Sequence, residues 1–567
     1  MIANEQMRGL APVPVLMPLH PPADFHGLFR DDPDARGVYS EAAGIARISP
    51  LAVAAPKDID DLCTLVRWAA STRTPLVPRG SGSSMPSGAI GDGVIVDVSR
   101  WRQIGEVDAS SRSVRVGPGA IRADVDRAAR QRGLRLPVDP SSGAFCTIGG
   151  MASTNAAGPH SMHFGSMRRW VRAIDCVFSD GSRAEVRRGA RPPAGNSCVD
   201  RFLSVAPRVA DGESASISIH AGVLKDSSGY GIATYARSGD LVDVLVGSEG
   251  TLAFFVELEL ELTPLAAATS SVLGAFQTIE AAVEAAGRAR VAGATACELL
   301  DRTFLDVAAS GDAARSLPAG TESALLAEVE ASDADAAVVA AREVEAIFRD
   351  AGATTVHVAL DNATETELWE LRHAASPILA RLDPNLRSMQ FIEDGAVPPM
   401  HLPAYVRGVR EILTANGTRG VIFGHAGDAH VHVNPLIDVS RPDWRERVQQ
   451  ILDAVVALTV SLGGTLTGEH GDGRLRTPLM AQVWSPGALD GFYAVKRAFD
   501  PLGIFNPGVK VAGPRQRALT DIKYDQRLAP LPSRARSALD FVERERGYAS
   551  FRLDLLDGAA EEICGLS

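Results

Sequence analysis

The sequence is poor in cysteine and lacks the spacings that cysteine chemistry needs. Cys63, Cys146, Cys176, Cys198, Cys297 and Cys564 are the only six in 567 residues, and no two are spaced as C-x-x-C. That excludes a disulfide scaffold, a zinc ribbon and a ferredoxin-type cluster built from this chain alone. It suits a reducing compartment with unpaired, mostly buried thiols. Positive charge is also short. Lys+Arg is 57 against 69 for Asp+Glu, a formal net charge of −12, which argues against sequence-independent nucleic-acid binding. Membrane-spanning runs are missing. Residues 262–279 and 140–167 lack Lys, Arg, Asp and Glu, but the first carries Pro264 and several hydroxyls and the second is rich in Gly, Ser and Asn. Neither would partition into lipid. Pro12, Pro14 and Pro18 interrupt the apolar patch of the first twenty residues, so no secretory signal is read there. The expectation is a soluble cytoplasmic protein, with attachment to the inner face of a membrane left open.

What is present is ordinary in bulk, with 46% apolar and 22% charged residues, and long enough for two to four domains at roughly 150 residues each. Residues 1–45 are Pro-rich and read as an extension on the surface. From Ile48 the pattern reads strand, helix, strand and Gly/Ser loop. Asp58 is the expected N-cap of a helix that buries Leu62, Leu65, Val66 and Ala69. Residues 93–99 and 113–119 are short strands, and 121–132 a helix closed by Gly133. A loop-rich tract runs from 136 to 165, followed by a strand over 171–181. Residues 241–264 read as strand, Gly turn and long alternating strand, ended by Pro264. Beyond it the composition turns Ala-rich, with amphipathic helices expected over 280–291 and 335–349, strands on both sides of a turn in 420–438, and a helix over 444–462. The domains expected are therefore 46–264 and 265–510, with a tail over 511–567.

Three loops stand out. Pro78-Arg79-Gly80-Ser81-Gly82-Ser83-Ser84 could curl its backbone N–H groups around a phosphate. It is neither a G-x-G-x-x-G fingerprint nor a Walker A loop, and alone it is equally a plain turn. Pro137-Val138-Asp139-Pro140-Ser141-Ser142, Thr147-Ile148-Gly149-Gly150 and Asn155-Ala156-Ala157-Gly158 form a tract too long and too uncharged for an exposed linker. The third loop is Gly247-Ser248-Glu249-Gly250-Thr251-Leu252.

The second half carries a histidine–carboxylate constellation. His425, His430 and His432 fall within eight positions, and Thr467-Gly468-Glu469-His470-Gly471-Asp472-Gly473 follows, so four of twelve histidines lie in two motifs. On a strand His430 and His432 share a face. His425, His432 and Glu469 make a credible divalent-metal site with open positions; His430 reads as a neighbour. A lone histidine there would be structural.

The order PRGSGSS, DPSS, TIGGMASTNAAG, GSEGTL and FNPG (505–508) resembles flavoproteins of the vanillyl-alcohol-oxidase/p-cresol-methylhydroxylase type, over about residues 48–510. The resemblance implies an α+β fold: a two-subdomain FAD-binding domain followed by an α+β substrate, or cap, domain. It implies FAD held by Arg79, Gly80, Ser81, Gly82, Ser83 and Ser84 at the pyrophosphate. Pro137, Asp139, Ser141, Ser142, Thr147, Gly149, Gly150, Asn155 and Gly158 would lie along the cofactor, with Glu249, Gly250 and Asn506 completing the site. Ser83 and Ser84 stand where some members attach FAD through a histidine, so FAD is expected to be non-covalent.

G-H-x-G-D-x-x-x-H-x-N followed by G-E-H-G-x-G further resembles the D-2-hydroxyacid dehydrogenases, the D-lactate and D-2-hydroxyglutarate dehydrogenase group. That similarity implies His425, His432 and Glu469 as ligands of a divalent metal, zinc or manganese, and His470 as general base. Asn434 would lie beside the substrate. Trp369-Glu370-Leu371-Arg372 matches the group's W-x-x-R, making Arg372 the binder of the substrate carboxylate, with Ser376 a substrate-contacting hydroxyl. Without the motif, Arg372 reads as a surface ion pair with Glu370 or Glu367.

The chain departs from the group in two places. Ala429-His430 stands where Gly-Asn is common, and the stretch 390–399 holds no Lys, which leaves substrate identity open. The wording IEDGAVPP and CELLDRTFLD is closer to the flavin half of large bacterial enzymes with a C-terminal iron–sulfur half. The expected partners are a small 2-hydroxy acid and a separate iron–sulfur or quinone-linked electron acceptor, with a homodimer left open. The alternatives are a flavin transferase like alkylglycerone-phosphate synthase, a flavin-free metallohydrolase, and a non-catalytic subunit.

Overall fold

The computed structural model describes residues 19–216, 220–308, 317–373 and 385–557. Ser376 and Cys564 lie outside them. The first half holds two four-stranded sheets and one short two-stranded pair, Leu134–Arg135 with Thr263–Pro264. In one, the parallel strands Ala52–Ala55, Val94–Asp97 and Leu76–Arg79 lie side by side, and Leu28–Arg30 adds an antiparallel edge. Helix Ile59–Thr72 crosses over between Ala52–Ala55 and Leu76–Arg79. The Asp58 side chain caps it by accepting from the Asp61 N–H, and Leu62, Leu65, Val66 and Ala69 are buried beneath it. The other sheet is antiparallel, in the order Ser113–Val116, Phe254–Glu261, Val171–Val177 and Arg183–Arg187.

The apolar run 241–245 is a short helix, Leu241–Leu245, and not the strand its composition suggests. Asp240 caps it through the Val242 N–H, and every residue in it is buried. A short apolar run buried on all sides carries no periodicity to separate helix from strand.

The second half is one large antiparallel sheet. Its order is Thr355–Val358, Ala268–Phe276, Ser323–Ala331, Ala296–Asp301, Gly420–His425, His430–Asp438, Leu386–Ser388. Helices Ile279–Val291, Ala334–Asp350, Leu402–Ala415 and Trp444–Ser461 cover one face, packing on Val272, Leu299, Leu325, Ile422, Val431 and Val433. Side chains alternate across a strand. With Val431 and Val433 turned to the helices, His430, His432 and Asn434 are turned the other way. Register pairs His425 with His430 and with Glu298, and Phe423 with His432. Glu298, His425 and His430 therefore form a row across three strands.

Both ends of the described chain return to the first half. Helix Ser533–Glu545 packs on Pro33–Val38, and Phe551, Leu553 and Leu556 join Val53, Val77 and Ile95 in one core. Among the described residues, no helix is long and apolar enough to cross a membrane, and five cysteines are free and buried.

The two halves meet at His160. Its Nδ1 lies 2.6 Å from Asp139 of the loop-rich tract, and its Nε2 lies 2.8 Å from Glu328 of the large sheet. Arg135 and Glu330 pair alongside. Burial works against the charged ring, but Asp139 and Glu328 outweigh it and hold the His160 pKa well above its usual value. A raised histidine pKa stabilises most below the unfolded value of about 6.5, and that stability is lost as pH rises through the folded value. We expect unfolding stability to fall with rising pH above neutrality, and His160→Gln to flatten that slope. An unchanged slope in the variant would remove this contact from the account.

Candidate active site

Strand Leu76–Arg79 delivers the first glycine loop, and the loop is held from behind. The Arg79 guanidinium turns inward and donates to the backbone carbonyl of Glu41 at 3.0 Å and to those of Tyr39 and Ala89 at 3.4 Å. Gly82 sits over it with φ +70°, and a Cβ there would lie 2.6 Å from the guanidinium. A Cβ on Gly80 would lie 2.2 Å from the Thr147 hydroxyl oxygen. Thr147 is the N-cap of helix Ile148–Thr154, accepting from the Gly150 N–H. Loops one and two are thus pressed together at positions where only glycine fits.

They open onto a cavity of about 1340 Å³. Its wall includes Arg79, Gly80, Ser81, Gly82, Ser83 and Ser84, then Ser141, Ser142, Thr147, Gly149 and Gly150, then Glu249 and Gly250. The Ser84 hydroxyl is buried with no hydrogen-bond partner. Pro137, Asp139, Asn155, Gly158 and Asn506 are not on this wall. Asp139 is engaged with His160, and Gly158 packs so closely on Asp139 that a Cβ would lie 2.6 Å from its backbone. Asn155 accepts from the Arg168 N–H and donates to Ser227. Asn506 donates to the carbonyls of Gly88 and Glu249, tying two loops together from outside.

The same cavity reaches His432, Asn434, Glu469 and His470. Each histidine of the cluster has one ring nitrogen fixed. His425 Nδ1 is 2.5 Å from Glu298, His432 Nδ1 is 3.0 Å from the Glu393 carbonyl, and His430 Nε2 is 2.9 Å from Asp394. The free nitrogens of His425 and His432 face Glu469 Oε1 at 3.3 and 3.4 Å. Glu469 Oε2 lies 2.6 Å from the Lys225 ammonium. Burial would raise the Glu469 pKa, but Lys225 and His425 hold it well below the carboxylate range. Burial, with Lys225 adding to it, lowers His430 to about 3.

His470 Nδ1 is 2.6 Å from Glu393 and its Nε2 is 3.7 Å from Glu469. Burial alone would lower its pKa; Glu393, Asp394 and Glu469 together push it up to about 9. Arg372 is buried behind the cluster. Its Nε donates to Glu298 at 2.6 Å and its guanidinium stacks on Phe423, which does line the cavity. Arg372 itself is not on the cavity wall.

Sequence reasoning missed the residues that hold this constellation. Arg476 pairs with both Glu393 and Asp394. Asp394 also accepts from the N–H groups of Glu469 and His470. Lys510, fully buried, bridges Glu249 and Asp472 at 2.9 Å each. Glu298 and Lys225 were not singled out either. The available signal was an acid inside an apolar run, as in 296–300 and 389–397, which folding must pair.

Comparison with known proteins identifies the two domains. The profile "FAD linked oxidases, C-terminal domain" matches residues 265–509, and "FAD binding domain" matches 50–187. Glycolate oxidase subunit GlcD of Bacillus subtilis (strain 168) is 30% identical over 494 residues, covering 85% of this chain and 93% of its own. D-lactate dehydrogenase of Archaeoglobus fulgidus is 27% identical over 461 residues, covering 80% and 90%. D-2-hydroxyglutarate dehydrogenase of Escherichia coli (strain K12) is 28% identical over 515 residues, covering 85% of this chain and half of its own length. The structure of 4-ethylphenol oxidase from Gulosibacter chungangensis shares the fold with a TM-score of 0.60 at 14% identity, covering 86% and 94%. Alkyldihydroxyacetonephosphate synthase does so with 0.57 at 16%, covering 84% and 82%. With glycine loops and histidine cluster on one cavity and both profiles matched in order, the chain belongs to the FAD-linked oxidoreductases of the p-cresol-methylhydroxylase type.

Proposed function

We propose that the chain oxidises a D-2-hydroxy acid, of the lactate or 2-hydroxyglutarate type, to the 2-oxo acid, using non-covalent FAD and a divalent metal. The observation that carries this reading is the single cavity lined both by the glycine loops and by His432, Asn434, Glu469 and His470. The names of the relatives, for glycolate, D-lactate and D-2-hydroxyglutarate, support the substrate class. The residues present fit both groups. Gly80 and Gly82 hold the loops where no Cβ is admitted, and the Ser84 hydroxyl lacks a protein partner. Two imidazole nitrogens and one carboxylate oxygen converge, a donor set suited to zinc and related ions.

Bound FAD supplies the two-electron acceptor for the hydride on C2, and the bound cation would lower the pKa of the substrate hydroxyl. The protein's own residues do the rest. His470, anchored through Nδ1 on Glu393, presents Nε2 to the cluster and takes the hydroxyl proton. A base must be neutral, and of the three carboxylates that raise His470 a bound cation would offset Glu469, while Glu393 and Asp394 stay paired with Arg476. Asn434 orients the substrate from the same strand face as His432. Arg372, whose Nε donates to Glu298, keeps the assignment its W-x-x-R motif implies, as binder of the substrate carboxylate. Ser376, outside the described residues, keeps the same assignment as a substrate contact.

Electrons then leave for a separate acceptor. Relatives named as subunits favour a partner-dependent enzyme over one that works alone. The transferase reading rests on shared fold alone.

Under anaerobic conditions the flavin bands of the purified protein should bleach with a D-2-hydroxy acid and persist with its L isomer. Bands that no hydroxy acid bleaches would favour the transferase. His470→Asn should retain FAD and slow flavin reduction by ~10²-fold or more; a wild-type rate would reject the base. Arg372→Ala should raise the apparent KM for the acid while FAD affinity stays unchanged. An unchanged KM would place the carboxylate elsewhere.

A further inference from the structure

His430 stands out because half of its ring has no explanation. It is fully buried, its Nε2 is satisfied by Asp394 at 2.9 Å, and its Nδ1 has no hydrogen-bond partner. An unpaired polar atom in a buried site is costly and rare. His430 cannot turn away, because Gly468 packs against the ring: a Cβ on Gly468 would lie 2.5 Å from Cδ2 and Nε2.

The surroundings show which groups the ring is set among. A donor atom from each of His425, His430, His432 and Glu469 lies within 4.8 Å of the others. The three rings are nearly equidistant, with centroids 5.4 Å apart for His425 and His430, 5.3 Å for His425 and His432, and 4.7 Å for His430 and His432. Metal bonds of about 2.0–2.1 Å at a tetrahedral zinc put neighbouring donors about 3.3–3.4 Å apart. The two distances from Glu469 Oε1 to His425 and His432, 3.3 and 3.4 Å, match that edge. All three histidines also anchor their other nitrogen on an oxygen acceptor, the usual support of a metal-bound imidazole. Lys225 occupies Glu469 Oε2 and leaves Oε1 to the cluster.

We propose that His430 is a third imidazole ligand of the cation held by His425, His432 and Glu469. The set is then three histidines and one carboxylate, a nitrogen-rich set that suits zinc better than magnesium, whose preferred donors are oxygens. Zinc with four protein ligands can still expand to five-coordinate. This reverses the sequence reading of His430 as a neighbour, and it rests on the metal reading proposed above.

The test is zinc-edge X-ray absorption of the FAD-loaded, zinc-loaded wild-type chain, together with competitive zinc and manganese binding to wild type, His430→Asn and His425→Ala. The expected result is three imidazoles per zinc and a zinc affinity at least ~10-fold weaker in His430→Asn, with zinc preferred over manganese. His425→Ala should not bind zinc measurably. Two imidazoles per zinc in the wild type would overturn the third ligand and leave the metal site standing; an unchanged zinc affinity in a folded His430→Asn would do the same. A wild-type chain that takes up neither ion would overturn both, with Lys225 left as the charge partner of Glu469.

Discussion

Arg476 is the side chain on which the site depends. It is buried between Glu393 and Asp394, and those two carboxylates fix nearly everything at the histidine end of the cavity. Glu393 takes His470 through its carboxylate and His432 through its carbonyl. Asp394 takes His430 and the backbone N–H groups of Glu469 and His470. Two adjacent buried carboxylates would repel each other and be pushed toward neutrality. With Arg476 and His470 against them, both instead sit below the usual carboxylate range, although burial works the other way. Breaking a buried pair on one side typically costs about 3–5 kcal/mol. Here the cost would fall on the arrangement of four histidines and a glutamate as much as on stability.

The second constraint is that the glycine loops and the histidine cluster come from different halves. They are joined by buried ions, not by apolar packing alone. Lys510 bridges Glu249, on the third glycine loop, to Asp472, just beyond the G-E-H-G motif. Glu249 in turn accepts the N–H groups of Asp472 and Gly473. Asp472 also accepts from Ser228 and Thr467. His160 makes the corresponding link at the other side, between the loop-rich tract and the large sheet. A two-electron transfer between substrate and flavin needs the donor carbon and acceptor atom held close and aligned. Charge pairs with short, directional contacts fix such a register better than a greasy interface.

The sequence was most legible where chemistry and local pattern coincide. Asp58 caps its helix, strands Gly420–His425 and His430–Asp438 flank their turn, and the alternation of Val431 and Val433 with His430, His432 and Asn434 survives intact. The helix Leu241–Leu245 was misread because burial on all sides erases periodicity. Partners distant in sequence were invisible for a different reason. Nothing in the spacing of Glu298, Arg476 or Lys510 tells which residue each meets, since those contacts are made by sheet register and interdomain packing. Arg372 is the instructive case. Its motif pointed to the substrate, yet its strongest contact is Glu298, through which it steadies His425.

The claim at the centre of this account is that a cation held by the histidines and Glu469 works in the same site as the flavin. The most direct measurement is the anaerobic rate of flavin reduction by a D-2-hydroxy acid before chelation, after removal of the metal, and after its return. The account predicts that FAD stays bound throughout, that reduction collapses in the metal-free protein, and that added zinc restores it. Reduction at an undiminished rate in protein shown to be free of metal would contradict it.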